Sequence, residues 1–201
     1  GVAGDPALPS VIFFTSSPPA ALPAEEAAAW AWLLGLDGED FNVRQVQMID
    51  LPRTDLRRDE VIWWHYAAEE ALPSVAVRPD TLQAVRDHLQ GGGTALLSLV
   101  AASYVVPLGI EPSPPDTVTM DAGFAAESEL GGLQSRRGHA LLDFSWGGVF
   151  TSANSSFPPR AAVAYSGDRW PQNGRVWAMH KSERGVDTTT KVGVEYPSTF
   201  V

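Results

Sequence analysis

The sequence contains no cysteine among its 201 residues. This absence excludes a disulfide framework, a metal site built from thiolates and a cysteine nucleophile. It leaves the compartment open between cytoplasmic and secreted, because many secreted proteins also lack cysteine.

Long apolar runs and basic residues are also scarce. No apolar run approaches the roughly 20 residues that cross a bilayer, and residues 1–10 lack the basic and apolar regions of a signal peptide. The formal net charge is −10, from 14 Lys and Arg against 24 Asp and Glu. Such a charge repels a phosphate backbone. We therefore expect a soluble protein that contacts neither membranes nor nucleic acid.

The secondary structure indicated by the sequence follows the order β, α, β, β, α, β. Short apolar runs predict buried strands at residues 11–15, 60–65 and 94–99. The alternating segment 41–52 predicts a half-exposed edge strand. Amphipathic patterns predict two helices, one opened by Pro23 and one running from about Pro79 to Gln90.

This order predicts an α/β fold, a three-layer flavodoxin-like sandwich with a mainly parallel central sheet and helices on both faces. The three most apolar strands are expected side by side at its centre. The length and the apolar content of 44% favour a single domain over residues 1–201. The last residues, 192–201, are typical of a strand running out of the chain, which is compatible with a piece of a longer protein.

Ligands of open α/β sheets bind at the carboxyl ends of the parallel strands. The strands 60–65 and 94–99, with the helix between them, form one parallel crossover unit. The polar residues at and after the ends of these two strands are His65, Tyr66, Ser98 and Ser103. We therefore expect any site to lie around these residues, although they form no recognisable catalytic set.

Three segments together resemble the class I glutamine-amidotransferase-like superfamily: DEVIWWH (59–65), HLQGGGTALLS (88–98) and RRGHALLDF (136–144). Within that superfamily they are similar to the trehalose-utilisation-like domains found beside carbohydrate-active enzymes. The resemblance covers about residues 10–150, with Ala140 where those domains usually carry a proline. It implies a link to carbohydrate metabolism.

The chain departs from the amidotransferase pattern at the nucleophile. That pattern places Cys in a G-x-C-x-G turn, because the nucleophile occupies a strained strand-to-helix turn that admits only small neighbours. Here the corresponding run is Leu96 to Val100, with Ser98 at or near the nucleophile position and no glycine beside it. The glutaminase reaction is therefore excluded.

The function that we infer is a non-catalytic accessory domain, serving binding or assembly in a carbohydrate-processing protein. The expected partners are other domains or chains of that protein, or a glycan, and a homo-oligomer is also compatible. We expect no cofactor, and no metal, because the four histidines are widely separated in sequence.

The alternative is a hydrolase or isomerase acting on a small sugar-like substrate, with His65, Ser98 and His139 at the carboxyl edge of the sheet. Serine is common at strand ends for packing reasons, which favours the non-catalytic interpretation. The further bases and acids that the sequence offers for Ser98 are His139, His180, Asp143 and Glu183.

Seven tryptophans are present, of which Trp146 and Trp170 lie in turn-rich surroundings. Exposed indoles offer flat apolar faces on which sugar rings and protein partners dock. We predict that residues 123–174 form the working surface with these two tryptophans as anchors, and that Tyr66 also contributes to binding. The alternative is that the indoles pack inside the core.

Overall fold

The protein is described from a computed structural model, which places residues 7–120, 128–132, 149–151, 160–182 and 190–201. The description excludes the side chains of Thr119, Met120, Arg160 and Val192 and those of residues 128–132, 149–151 and 178–182.

The first half of the chain follows the predicted β, α, β, β, α, β order. Its elements are β1 (Ser10–Thr15), α1 (Ala24–Leu34), β2 (Asn42–Gln47), β3 (Glu60–Tyr66), α2 (Pro79–Gln90) and β4 (Thr94–Leu99). Short 3₁₀ helices span Pro19–Ala21, Leu51–Arg53 and Val100–Val105. The predicted boundaries of β1, β3, α2 and β4 are confirmed to within about one residue, because each element is ended by proline, glycine or a polar cluster. The strand predicted over 41–52 is shorter, because the chain turns after Gln47 and forms a 3₁₀ helix at Leu51–Arg53.

The second half contributes mainly short strands. These are β5 (Asp116–Met120), β6 (Ser128–Gly132), β7 (Val149–Thr151), β8 (Arg160–Ala164), β9 (Arg175–Ser182), β10 (Lys191–Tyr196) and β11 (Thr199–Phe200). The prediction of further strands after Gly109 is therefore confirmed for the described segments.

The main sheet has the order β2-β1-β3-β4-β11-β10-β9-β6-β7, while β5 and β8 pair separately. The strands from β2 to β11 run parallel, and the sheet continues through antiparallel pairs from β11 to β7. The α/β fold with a parallel central sheet is therefore confirmed, with β1, β3 and β4 side by side and β2 next to β1 at the edge of the sheet.

The two faces of the parallel strands are covered unequally. One face packs beneath α2 and the 3₁₀ helix after β4 in a large core that includes Ile12, Trp64 and Leu97. On the other face, a smaller cluster joins Leu33 of α1 to β1 through Val11 and Phe13. Leu96, on that second face of the interior strand β4, is 39% exposed. Leu96 is thus partly exposed on the side of the sheet where α1 packs over β1. We call this side of the sheet the open face, and it positions the site described next.

Candidate functional site

The open sheet face carries an apolar row that crosses three neighbouring strands. Trp63 of β3 is the register partner of Leu96 of β4, which in turn partners Phe200 of β11. Trp32 of α1 lies against this row, with its ring centroid 5.9 Å from that of Trp63 in an edge-on contact. We call these four residues the apolar row. Trp32 is 61% exposed, so the row presents a large indole to solvent.

A polar row lies two residues further along the same strands, about 6–7 Å closer to the carboxyl edge. It consists of His65 and Ser98 on the strands and of Glu25, which reaches them from the first turn of α1. His65 and Ser98 are register partners on β3 and β4, and His65 Nδ1 lies 2.8 Å from Ser98 Oγ. On its other side, His65 Nε2 lies 3.3 Å from Glu25 Oε1 in the first turn of α1. The prediction that a site at this edge involves His65 and Ser98 thus corresponds to two side chains in direct contact.

The polar row forms a continuous chain of hydrogen bonds with Trp63. The indole Nε1–H of Trp63 donates to Ser98 Oγ at 3.1 Å. If Ser98 in turn donates to His65 Nδ1, the remaining imidazole proton on Nε2 points at Glu25. This single arrangement of protons satisfies the indole, the hydroxyl and both ring nitrogens.

The strained turn of the crossover unit lies at Leu99, one residue beyond Ser98. Leu99 has φ 63° and ψ −126°, and the 3₁₀ helix Val100–Val105 begins immediately after it. A non-glycine residue in this backbone region costs about 1–3 kcal/mol and is typical of sites where a turn must present a functional side chain. A strand, a strained residue and a helical turn are also the geometry that presents an elbow nucleophile. The sequence had placed Ser98 at or near that position, but the structure puts leucine at the strained residue.

Glu26 shares the first turn of α1 with Glu25 but points into the interior. Its side chain is 0% exposed, and neither carboxylate oxygen has a hydrogen-bond partner within the described part of the chain. Burial raises the pKa of Glu26 to about 7. Burial also raises the pKa of Tyr66, with Glu69 and Glu26 adding to the effect through their charge.

The other predicted site residues are dispersed. Tyr66, proposed as a binding residue, is 4% exposed and packs against Trp64 with ring centroids 5.5 Å apart. The backbone of His180 lies on β9, three strands away from β4. The remaining candidates lie outside the described residues: His139, Asp143, Trp146 and Glu183.

Trp170 lies on the connection between β8 and β9 and is 53% exposed. The ammonium group of Lys191 lies 4.4 Å from its ring centroid.

Two carboxylates hold the loop that carries Trp170. Glu111 accepts hydrogen bonds from the backbone amides of Gln172 and Asn173, and Asp116 accepts from Ser166 and pairs with Arg169. The loop therefore presents the indole on a fixed backbone.

Sequence reasoning missed Glu25 and Trp32 as members of the site. They lie seven residues apart on α1, which places them on one side of the helix. The available signal was that α1 starts next to the carboxyl ends of the strands, so an acidic residue in its first turn faces the predicted site.

Within the described ranges, no three His, Asp or Glu side chains converge as metal ligands. None of the helices in those ranges is long and apolar enough to cross a membrane.

The sequence matches no protein-family profile and no curated protein. Among solved structures, it is similar to PurLQS from Thermotoga maritima, with a TM-score of 0.58 over 96% of this chain and 85% of that chain. The identity is 13%, so the likeness concerns the fold alone.

Proposed function

We propose that this chain is a non-catalytic amidotransferase-like domain that serves binding or assembly in a carbohydrate-processing protein. The observation that carries the proposal is Leu99 at the strained turn after β4. The backbone keeps the costly geometry that presents a nucleophile, yet the side chain there has no nucleophilic atom. The similarity of 59–65, 88–98 and 136–144 to trehalose-utilisation-like domains supports the carbohydrate context.

The Trp170 loop supports a role in binding. Carboxylates that fix a loop reduce the conformational entropy lost when a partner docks, which increases affinity for a given contact area. An exposed tryptophan on such a loop is the kind of residue that dominates interface energetics. We assign Trp170 as a contact for a neighbouring domain or chain.

A second candidate function is ester hydrolysis, favoured by the contacts among Ser98, His65 and Glu25. In that reaction Ser98 Oγ would attack the ester carbonyl while His65 Nδ1 takes its proton. The proton would pass to the departing alcohol, and water would then cleave the acyl-serine. Two features oppose it. Ser98 lies within the strand before the strained residue, and Trp63 Nε1 already donates to the attacking oxygen.

Activity measurements on wild type and two variants test which of the two functions is correct. We expect ammonia release from glutamine, and hydrolysis of nitrophenyl acetate and nitrophenyl glycosides, to equal the buffer rate for wild type, Ser98→Ala and His65→Ala. Hydrolysis by wild type that disappears in both variants would contradict the non-catalytic function and establish the second candidate. Ammonia release from glutamine would contradict the assignment of Leu99 as a silent elbow.

A further inference from the structure

The geometry points to a binding site for one ring of a neutral sugar on the open sheet face, between the apolar row and the polar row. This inference deepens the proposed function, on which it rests, by naming the ligand class and the residues that hold it. Trp32 would stack on the apolar face of the ring, and Glu25, held in place by His65, would bind its hydroxyls.

The apolar row provides a stacking surface that the fold itself does not use. Leu96 is on an interior strand with neighbours on both sides, a position that is normally covered in a sheet of this class. Leu96 is 39% exposed and Trp32 is 61% exposed, and Trp63 is next to both of them. Sugar rings carry C–H groups on one face that suit such a surface.

The polar row provides hydrogen-bonding groups along one edge of that surface. The side chains of His65 and Glu25 retain 15% and 28% exposure, and Ser98 is partly buried. A carboxylate has two oxygens and about four acceptor positions, so Glu25 can accept hydrogen bonds from hydroxyl groups while it faces His65. An apolar floor edged by a few fixed polar groups is the usual composition of a small-molecule site.

The positions of these groups are fixed before a ligand arrives. Trp63 holds Ser98 through its indole and supports Trp32 by an edge-on ring contact, and its ring centroid lies 5.8 Å from that of His65. The strand positions of the two rows lie two residues, about 6–7 Å, apart. Glu25 and Trp32 lie seven residues apart on α1, about 10 Å along the helix axis. Little ordering is therefore required on binding.

The negative charge of the protein favours a neutral sugar over a phosphorylated one as the ligand. The residues of the two rows include one carboxylate, Glu25. The whole chain carries a formal net charge of −10. Both facts oppose an anionic group at this place, since anion sites depend on cationic side chains or backbone amides.

The test uses saturation-transfer NMR and titration calorimetry on the whole chain. The probes are glucose, galactose, mannose, maltose and cellobiose, with sorbitol as an acyclic polyol control and glucose 6-phosphate as an anionic control. We expect at least one neutral sugar to bind saturably, with saturation transferred to the C–H protons of one ring. Sorbitol and glucose 6-phosphate should bind more weakly, because the first lacks a ring face and the second carries charge.

Variants locate the site. Trp32→Ala should weaken binding about tenfold or more, since an exposed stacking indole is removed. Glu25→Gln keeps the shape of the side chain but loses the charge that accepts from hydroxyls, so it should also weaken binding. Leu34→Ala, at a residue of α1 that is 45% exposed and outside both rows, is the matched control and should bind like wild type.

Several outcomes would overturn the inference. Binding retained in Trp32→Ala, binding lost equally in Leu34→Ala, or no saturable binding of any neutral sugar each contradicts it. A dimer that Trp32→Ala converts to monomer would show that the open face joins two copies of the chain, which also contradicts it. If sugars fail to bind while glutamine and esters remain uncleaved, the sugar site is wrong and the non-catalytic function stands. Turnover lost in Ser98→Ala would instead overturn the function.

Discussion

At the scale of single residues, Glu26 couples the fold to pH. Its pKa is about 7 in the folded chain against 4.5 as the ordinary value, because burial disfavours the carboxylate. The folded state therefore holds a proton that the unfolded state releases between these two values. Stability is highest below pH 4.5 with respect to this group, and it falls as the pH rises toward 7.

Replacing Glu26 by Gln removes the titration while keeping a neutral side chain of the same shape. We expect E26Q to be more stable than wild type at pH 8 by up to about 3 kcal/mol, at about 1.4 kcal/mol per pKa unit. At pH 4, below both pKa values, the two should be nearly equal. Urea unfolding at both pH values measures this difference. The control is Glu39→Gln at an exposed position, which should show no such pH dependence.

At the scale of elements, the turn after β4 stores strain at Leu99. Glycine adopts positive φ without steric cost, whereas alanine does not, so the usual preference for alanine over glycine should reverse there. We expect Leu99→Gly to be more stable than Leu99→Ala, although both lose the leucine side chain. Thermal unfolding of the two variants compares them. If Leu99→Ala is the more stable, the strained turn is not present in solution.

Gly93 lies between α2 and β4 and packs closely against the side chain of His88. A Cβ at this position would lie 2.1 Å from His88 Nε2, which hydrogen-bonds the Glu60 carbonyl at 3.0 Å. Gly93→Ala should therefore cost about 2 kcal/mol or more, through overpacking and loss of a buried hydrogen bond. In a His88→Ala background the same substitution should cost much less. A double-mutant cycle by urea unfolding checks this coupling.

The sequence predicts the elements of the first half well and the site only in part. Compact apolar runs specify β1, β3 and β4 locally, so their boundaries follow from the residues themselves. The contact between His65 and Ser98 depends on the register of β3 against β4, and the strain at Leu99 is a property of the backbone. Neither leaves a local pattern. The partner Glu25 is 40 residues from His65, so only the packing of α1 reveals it.

At the scale of the whole molecule, the described residues include two exposed tryptophans on different supports, Trp32 on α1 and Trp170 on the loop between β8 and β9. Trp170 contacts Lys191 through its ring but is otherwise 53% exposed. Trp170→Ala should thus reduce the free energy of unfolding by about 1–2 kcal/mol, because half of the indole is exposed but the Lys191 side chain beneath it is buried. Chemical denaturation measures it. A loss of several kcal/mol would assign Trp170 to the core and remove the argument for a docking role.

The central proposal is that this α/β domain has no working nucleophile at the turn after β4. The most direct measurement is intact-mass spectrometry after incubation with a fluorophosphonate, which forms a covalent bond to serine only where a neighbouring base activates the hydroxyl. The account predicts an unchanged mass for wild type at every time point. A stoichiometric adduct that maps to Ser98 and is absent from both Ser98→Ala and His65→Ala would contradict it.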